Sequence, residues 1–421
     1  MKTLPSRTPT QARATSADRL GQRPAAPLWA TLAGFQAAPV EAALTACALA
    51  ALALAIGVGV RQPGALVLAL CAVAGVALAV ATLMLARALT WPAHWWRRIV
   101  LVAIVGSGAV LRFRGLAFGL PYVPHPDEPA VVNVAQRMLR TGDLDPHHFV
   151  YPSLYIYLQA AVYAVHLGWG FTQGLYTNVN DLPETTDIIT TAPGIYLWGR
   201  TLTVLLGIGI ILLTYGAGKR LYGPRTGLIA ALLVAFAPPL VDDGHLITVD
   251  VPAAFFTALA FFWLVELYRA PLSPDRHTRW WPIVRAGIGV GLAAATKYNA
   301  ALIVLPLALV PLLRRAHAPW RVWLGGGLAA LATFFLVTPF AIPELPVFLN
   351  DTASVIIHYK FQGHGRFESN ENWLYYGRYL WQTFGPVWPL ALGGLLVMAL
   401  RGRRADLLVL PFPLLYYAAL A

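Results

Sequence analysis

Long apolar stretches separated by short charged segments recur along the 421 residues of this chain. A helix needs about 20 apolar residues to cross the hydrocarbon core of a bilayer. Only 12% of the residues are charged, whereas soluble domains carry about 25%. So few charges cannot cover a soluble globular surface, and the sequence therefore predicts an all-α polytopic membrane protein. The candidate spans are 40–60, 64–86, 97–112, 196–218, 226–241, 251–268, 284–296, 299–313, 322–340, 387–400 and 406–421.

The polar N-terminal segment is not followed at once by an apolar stretch with a cleavage site, which argues against a signal peptide. We expect residues 1–27 to form a disordered cytoplasmic arm and residues 28–96 an extra transmembrane hairpin. Residues 97–421 then form the main transmembrane domain, with a large first outer loop at 113–195. The last apolar run stops abruptly at Ala421, as it would in a fragment of a longer chain.

The charges are sorted along the chain. With the N-terminus in the cytoplasm, 21 of the 31 basic residues fall in inner segments. The outer loops 113–195, 242–250 and 341–386 then hold 14 of the 19 acidic residues. Because basic residues near span ends stay cytoplasmic, this orientation is predicted. The net charge of +12 therefore reflects topology in the cytoplasmic membrane, and no nucleic-acid partner is expected.

Two helices are predicted inside the first outer loop. One covers 128–141, with Pro129 in its first turn and Gly142 just past its end. The other covers 152–168 and is apolar enough to span the membrane. A span there would place the later basic loops outside, so we interpret it as an interfacial helix.

Adjacent carboxylates mark the start of the first of these helices. Asp127 and Glu128 follow His125 and Pro126, just outside a predicted span. The helix dipole stabilises ionised carboxylates at this position, and a general base must be an accessible carboxylate. The alternative is that Asp127 only caps the helix and Glu128 fills its first turn.

The second outer loop is also acidic. Asp242, Asp243 and Asp250, with His245, occupy nine positions between two apolar runs. Ionisable residues at a membrane boundary are costly unless they are solvated or paired, which makes them functional candidates. A plain hydrophilic turn is the alternative.

Three cations are candidates for binding a phosphate. Lys297 lies at the apex between two short predicted spans, where an ammonium could hold a phosphate or could simply snorkel to the interface. Arg200 lies at the outer end of its span, and Arg137 lies on the loop helix.

The third outer loop combines cations, amides and aromatic residues, a mixture that suits a sugar phosphate. A mobile loop with an interfacial aromatic belt would show the same composition. Across the three loops, the predicted sugar- or substrate-binding residues are His125, Tyr151, His245, Asp250, His358 and His364.

The sequence holds little sign of a dedicated metal site. Cys47 and Cys71 both lie in apolar runs and cannot form a disulfide framework or a thiolate site. His147 and His148 are adjacent without a companion ligand at metal-binding spacing, so a solvated loop is the favoured interpretation.

Taken in order, six motifs resemble the multi-span glycosyltransferases of the GT-C fold. The resemblance covers roughly 97–380. It is strongest to the bacterial family 39 branch, which is related to protein O-mannosyltransferases and to aminoarabinose transferases of lipid A. The motifs are Leu111–Leu116, His125–Glu128, Tyr151–Tyr155, Gly199–Arg200 with Gly218–Gly223, His245–Pro252 and Thr296–Ala300.

This resemblance implies an inverting glycosyltransferase that uses a polyprenyl-phosphate sugar at the outer face of the cytoplasmic membrane. Asp127 matches the family's catalytic base, with Glu128 beside it. Lys297 and Arg200 would hold the leaving phosphate, and the acceptor would be a lipid, a glycan or a protein. Some relatives bind a divalent metal, for which Glu128 and Asp250 would be the ligands.

Two other functions remain open at this stage. A transporter or flippase of lipid-linked sugars would carry ionisable groups at the bilayer midplane and often inverted repeats, and neither is visible in the sequence. A membrane-embedded scaffold would bind no ligand and would not depend on Asp127 or Lys297.

Overall fold

The computed structural model describes residues 93–182, 189–270, 276–314, 320–358 and 372–420. Within those ranges the chain is helical and forms no strand, apart from one isolated bridge between Tyr122 and Ile189. The predicted all-α class is confirmed. The predicted arm at 1–27 and the spans at 40–60 and 64–86 lie outside the described residues.

Fifteen α-helices are described, together with four short 3-10 turns. The helices of the first half are α1 (Ala93–Arg114), α2 (Asp127–Thr141), α3 (Leu154–Thr172), α4 (Pro193–Tyr222), α5 (Pro224–Ala235), α6 (Pro238–Asp242) and α7 (Asp250–Arg269). The second half has α8 (Arg276–Ala294), α9 (Val304–Arg314), α10 (Trp320–Val337), α11 (Leu345–Ile357), α12 (Asn372–Phe384), α13 (Val387–Arg401), α14 (Arg404–Val409) and α15 (Pro411–Leu420).

Most predicted spans coincide with a single observed helix, whereas the spans 226–241, 299–313 and 406–421 are each divided into two helical segments. Among the described residues, α4 and α7 are long and apolar enough to cross a membrane. The number rises to four if the bent pairs α5–α6 (63°) and α12–α13 (115°) each count as one span. The break after α5 coincides with Pro238 and Pro239, since proline cannot donate the backbone hydrogen bond that a continuous helix needs.

Both helices predicted in the first outer loop are present. Helix α2 ends at Gly142, whose φ of 73° and N–H bond to the Met138 carbonyl are typical of a glycine cap. Helix α3 begins at Leu154 and packs against α4. The predicted position of α3 at the membrane interface remains a prediction.

Helix α4 lies at the centre of the bundle and contacts α1, α3, α5 and α7. A second close contact joins α8 and α10. There Gly287 approaches the backbone of Gly326, and Gly291 approaches that of Ala330, so that a methyl group at either glycine would meet a backbone atom. Small residues at such contacts allow helices to pack backbone to backbone.

Charged groups collect at the two ends of α4. Arg200 lies near its start and Arg220 near its end, about 30 Å away at 1.5 Å per residue. At the far end, Glu266 pairs with Arg220 at 3.1 Å and with Arg285 at 3.6 Å. The two charge clusters predicted on opposite sides of the membrane thus lie at opposite ends of the central helix. Which end faces the cytoplasm remains a prediction.

Candidate functional site

Asp127 is the first residue of α2 and is partly exposed. Its Oδ2 accepts a hydrogen bond of 3.0 Å from the Tyr151 hydroxyl. Its backbone N–H donates to Nδ1 of His125 at 3.2 Å, which orients the histidine toward the helix start. Asp127, Tyr151 and His125, all predicted as site residues, are therefore brought together. An accessible carboxylate with a fixed orientation is suited to accept a proton.

Glu128 lies beside Asp127 in the sequence but points the other way, into the protein. The side chains of Glu128 and Arg200 are both fully buried. The Glu128 Oε2 lies 2.7 Å from the Arg200 Nη2. Oε1 of Glu128 accepts from the Arg200 Nε at 2.9 Å and from the Ile247 N–H at 2.9 Å. This arrangement joins the first outer loop, α4 and the second outer loop.

This geometry corrects three predictions. Arg200 was predicted to bind the donor phosphate, but its guanidinium is buried and also donates to the carbonyls of Leu116 and Phe118. Glu128 was predicted beside the catalytic base and as a metal ligand, but both its oxygens are occupied. A buried carboxylate and a buried guanidinium need each other, because either one alone would leave an unpaired charge in the interior.

Lys297 and Asp250 form a second ion pair, which is partly exposed. The Lys297 ammonium lies 2.7 Å from Oδ1 of Asp250. The Asp250 side chain is 50% exposed, so the pair is open to an incoming ligand. The sequence predicted both residues as part of the site but did not predict that they pair.

Asp243 was a functional candidate as part of the acidic second outer loop, although no specific role in sugar or phosphate binding was predicted for it. Burial, together with the negative charges of Asp250 and Asp242, raises the pKa of its carboxyl to about 6. His125 and Lys297 act in the opposite direction. Asp243 therefore lies within electrostatic range of the same groups that surround Asp127 and Lys297. Three carboxylates in nine positions were the available signal, but the spacing alone does not show which one turns inward.

Two further predicted residues make local contacts. Arg137 donates to the Asp145 carbonyl at 2.6 Å, which ties α2 to the loop that follows it, and its role in phosphate binding remains a prediction. His245 is half-buried and packs edge-on against Phe118 with 5.9 Å between ring centroids. Burial lowers the pKa of His245, which favours its neutral form, and its role as a sugar ligand remains a prediction.

The remaining histidines lie at the edge of the described structure. His358 is exposed directly after α11, and its role in substrate binding remains a prediction. His364 lies outside the described residues. His147 pairs with Asp143 at 2.7 Å and lies 3.6 Å from Asp145, as expected for a solvated loop.

The residues predicted to hold a metal do not fit one. Glu128 has no free oxygen, and Asp250 is paired with a cation. Among the described residues, no three His, Cys, Asp or Glu side chains are grouped so that they could hold a metal ion. We therefore assign no step to a metal.

Comparisons with known proteins agree with this architecture. Residues 175–350 match the model of the family described as dolichyl-phosphate-mannose-protein mannosyltransferase. Two solved structures resemble the chain, each with a TM-score of 0.52. ArnT from Cupriavidus metallidurans is 19% identical, with 75% of this chain and 53% of that one covered. The Archaeoglobus fulgidus oligosaccharyltransferase is 15% identical, with 79% and 49% covered.

The chain has the GT-C fold. The resemblance inferred from the six motifs is confirmed, and family 39 fits the matching family model. A protein mannosyltransferase from Schizosaccharomyces pombe is 34% identical over 108 residues, which are 24% of this chain and 11% of that protein. The chain thus spans only about half the length of the two solved GT-C structures and a small part of the yeast protein.

Proposed function

We propose that this chain is an inverting glycosyltransferase that moves a sugar from a polyprenyl-phosphate donor to an acceptor hydroxyl at the outer face of the cytoplasmic membrane. The observation that carries the proposal is that a series of contacts links a partly exposed carboxylate, Asp127, to the turn that carries a partly exposed cation, Lys297. Contacts connect the two: Asp127 accepts from Tyr151, and Tyr298 donates to the carbonyl of Phe149, two residues before Tyr151.

In the proposed reaction, Asp127 acts as the general base and Lys297 binds the leaving phosphate. The Asp127 carboxylate accepts the proton of the acceptor hydroxyl. The oxygen attacks C1 of the sugar from the face opposite the phosphate, so that the new C1–O bond forms as the C1–O bond to phosphate breaks. The leaving polyprenyl phosphate keeps the bonding electrons and gains negative charge. Lys297 stabilises that charge and exchanges its contact with Asp250 for one with phosphate.

The chemistry of the donor supports a site at a membrane surface. A polyprenyl chain is soluble only in the bilayer, whereas its phosphate and sugar must stay in water. On this proposal the phosphate lies at the interface, and Asp127, Asp250 and Lys297, each at the start of a helical segment, meet it there. The name of the matching family supports mannose as the first sugar to test, and ArnT was solved with undecaprenyl phosphate bound.

The alternative from another class is a flippase of lipid-linked sugars. In the described part of the chain, the charged residues of α4 are confined to Arg200, Lys219 and Arg220, and its middle is apolar. A transport pathway usually carries ionisable groups at mid-membrane depth, so this distribution favours an enzyme.

A transfer assay with the full chain in lipid nanodiscs tests the proposal. The donors are undecaprenyl- and dolichyl-phosphate mannose, followed by other sugars on the same carriers, with lipid, glycan and peptide acceptors. We expect the Asp127→Asn variant to lose transfer while it inserts and folds normally. Asp143→Asn is the matched control, because it alters an exposed carboxylate of the same loop. Full transfer by Asp127→Asn, or carrier movement across the membrane without transfer, would contradict the proposal.

A further inference from the structure

Phe149 is an unusual residue in the segment between α2 and α3. This segment has no regular secondary structure, yet the Phe149 side chain is completely buried. Its ring packs edge-on against Phe348 of α11, with 5.7 Å between the centroids. A buried aromatic ring in an irregular loop fixes the loop at that point, because freeing it would expose a large apolar surface.

Both backbone groups of Phe149 are bound by side chains from distant parts of the chain. Its N–H donates to Oδ2 of Asp351 on α11 at 2.8 Å. Its carbonyl accepts from the hydroxyl of Tyr298 at 2.7 Å. The rings of Tyr298 and Phe348 also meet, with centroids 6.2 Å apart. We call Asp351, Tyr298 and Phe348 the Phe149 clamp.

Phe149, which the clamp holds, lies two residues before Tyr151, whose hydroxyl donates the hydrogen bond that orients Asp127. Tyr151 donates to Asp127, and two residues of extended chain span only about 7 Å. On the other side, the Leu154 N–H donates to the carbonyl of Ala295 at 3.2 Å. The backbone around Tyr151 is thus held at two points, by Phe149 and by Leu154.

The geometry points to Asp351 and Tyr298 as positioning residues for the proposed reaction: by holding the backbone of Phe149, they keep the Tyr151 hydroxyl on the Asp127 carboxylate. This inference rests on the proposed function. Both residues bind the backbone of Phe149, so each acts on Asp127 through Tyr151. Displacing a reacting group by about 1 Å can cost about a hundredfold in rate, so a clamp at this distance can control catalysis.

Tyr298 gives the clamp a second link to the site, because it follows Lys297 directly in the sequence. Lys297 contacts Asp250 on one side of this turn, and Tyr298 contacts Phe149 on the other. The same short turn thus carries the cation proposed to hold the phosphate and a donor that positions the proposed base. Their relative placement then depends on one local backbone conformation.

Kinetic measurements on single variants test whether Asp351 and Tyr298 affect the catalytic rate. We expect Asp351→Ala and Tyr298→Phe each to lower kcat by about threefold to tenfold, no more than loss of the Tyr151 hydroxyl itself, with the KM for the lipid donor changed less than about twofold. Asp351→Asn keeps an oxygen acceptor for the Phe149 N–H and should retain most of the activity. Ser354→Ala is the matched control on the same helix, because its side chain bonds only to the Asn350 carbonyl of its own helix.

A double variant separates positioning from general stabilisation. If Asp351 acts through Tyr151, then Asp351→Ala added to Tyr151→Phe should lower kcat little further, by less than about twofold, because residues in one network are not additive. A purely structural role would multiply the two losses and raise the donor KM, and that result would overturn the inference.

Amide hydrogen exchange tests, without an activity assay, whether Asp351 holds the segment that contains Phe149. We expect Asp351→Ala to accelerate exchange in a peptide covering 143–151, while exchange in α4 stays as in the wild type. Faster exchange in a protein that transfers no sugar would defeat the proposed function and leave the clamp in place. Unchanged exchange at 143–151 would overturn the clamp, whatever the activity.

Discussion

Glu128 and Arg200 form an ion pair from which solvent is fully excluded, with Oε2 and Nη2 2.7 Å apart. The pair connects α2, which begins with Asp127, to α4 at the centre of the bundle. Through Ile247 it also holds the second outer loop, which carries Asp243 and Asp250. The two carboxylates of the Asp-Glu motif therefore have different roles: the first is accessible for chemistry, and the second fixes the loops on which the chemistry depends.

Removing one partner of the buried pair should destabilise the protein. Arg200→Leu leaves the Glu128 carboxylate buried without a cation, and we expect a loss of about 3–5 kcal/mol in the free energy of unfolding. A thermal unfolding series in detergent measures the change. Arg114→Leu, at an exposed arginine of α1, is the control. A variant as stable as the wild type would show that the pair does not hold the loops together.

Lys297→Met should weaken use of the donor. The ammonium is partly exposed and pairs with the exposed Asp250 carboxylate, and charge-assisted hydrogen bonds contribute about 1.5–3 kcal/mol. We expect kcat/KM for the lipid-linked donor to fall about tenfold to a hundredfold. Lys219→Met, at the opposite end of α4, should have no effect. Equal kinetics in the two variants would remove Lys297 from the phosphate site.

Tyr151→Phe should lower kcat without a large change in donor KM. The substitution removes only the hydroxyl that donates to Asp127 and keeps the ring. We expect a loss of about tenfold, corresponding to one hydrogen bond to a charged acceptor. Tyr122→Phe, at an exposed tyrosine of the same outer loop, is the control. A normal kcat in Tyr151→Phe would show that Asp127 is oriented by other contacts.

The helices and the chemical character of the site were predictable from the sequence, but the pairing of its charges was not. Hydropathy and flanking prolines and glycines locate α2, α4 and α7 because these signals are local. The position of Glu128, by contrast, depends on Arg200, 72 residues later, and on the Ile247 amide, 119 residues later. Two adjacent carboxylates at a helix start look equivalent in sequence, and only packing shows that they face opposite environments.

The Phe149 clamp escaped prediction for the same reason. Phe149 lies in a polar loop, Asp351 lies 202 residues further along, and Tyr298 was seen only as the neighbour of Lys297. No periodicity relates these residues. The two breaks near Pro238 and Pro411 show the limit of hydropathy even for the spans, since apolar runs of sufficient length were divided by prolines into separate helices.

Asp243 should make the stability of the protein depend on pH. In the native state burial and the charges of Asp250 and Asp242 raise the pKa of its carboxyl to about 6, against about 3.9 in an unfolded chain. Because the native state binds this proton more tightly, stability falls as the pH rises between these two values, and ionised Asp243 destabilises the fold above about pH 6.

Asp243→Asn removes that charge. We therefore expect its thermal midpoint to exceed that of the wild type at pH 7.5 and the difference to shrink at pH 5. Asp143→Asn is the control, because hydrogen bonds from the Asp145 N–H and from His147 lower the pKa of the Asp143 carboxyl, so its stability difference from the wild type should stay constant from pH 5 to pH 7.5. A stability difference between Asp243→Asn and the wild type that stays constant from pH 5 to pH 7.5 would show that Asp243 does not titrate in this range.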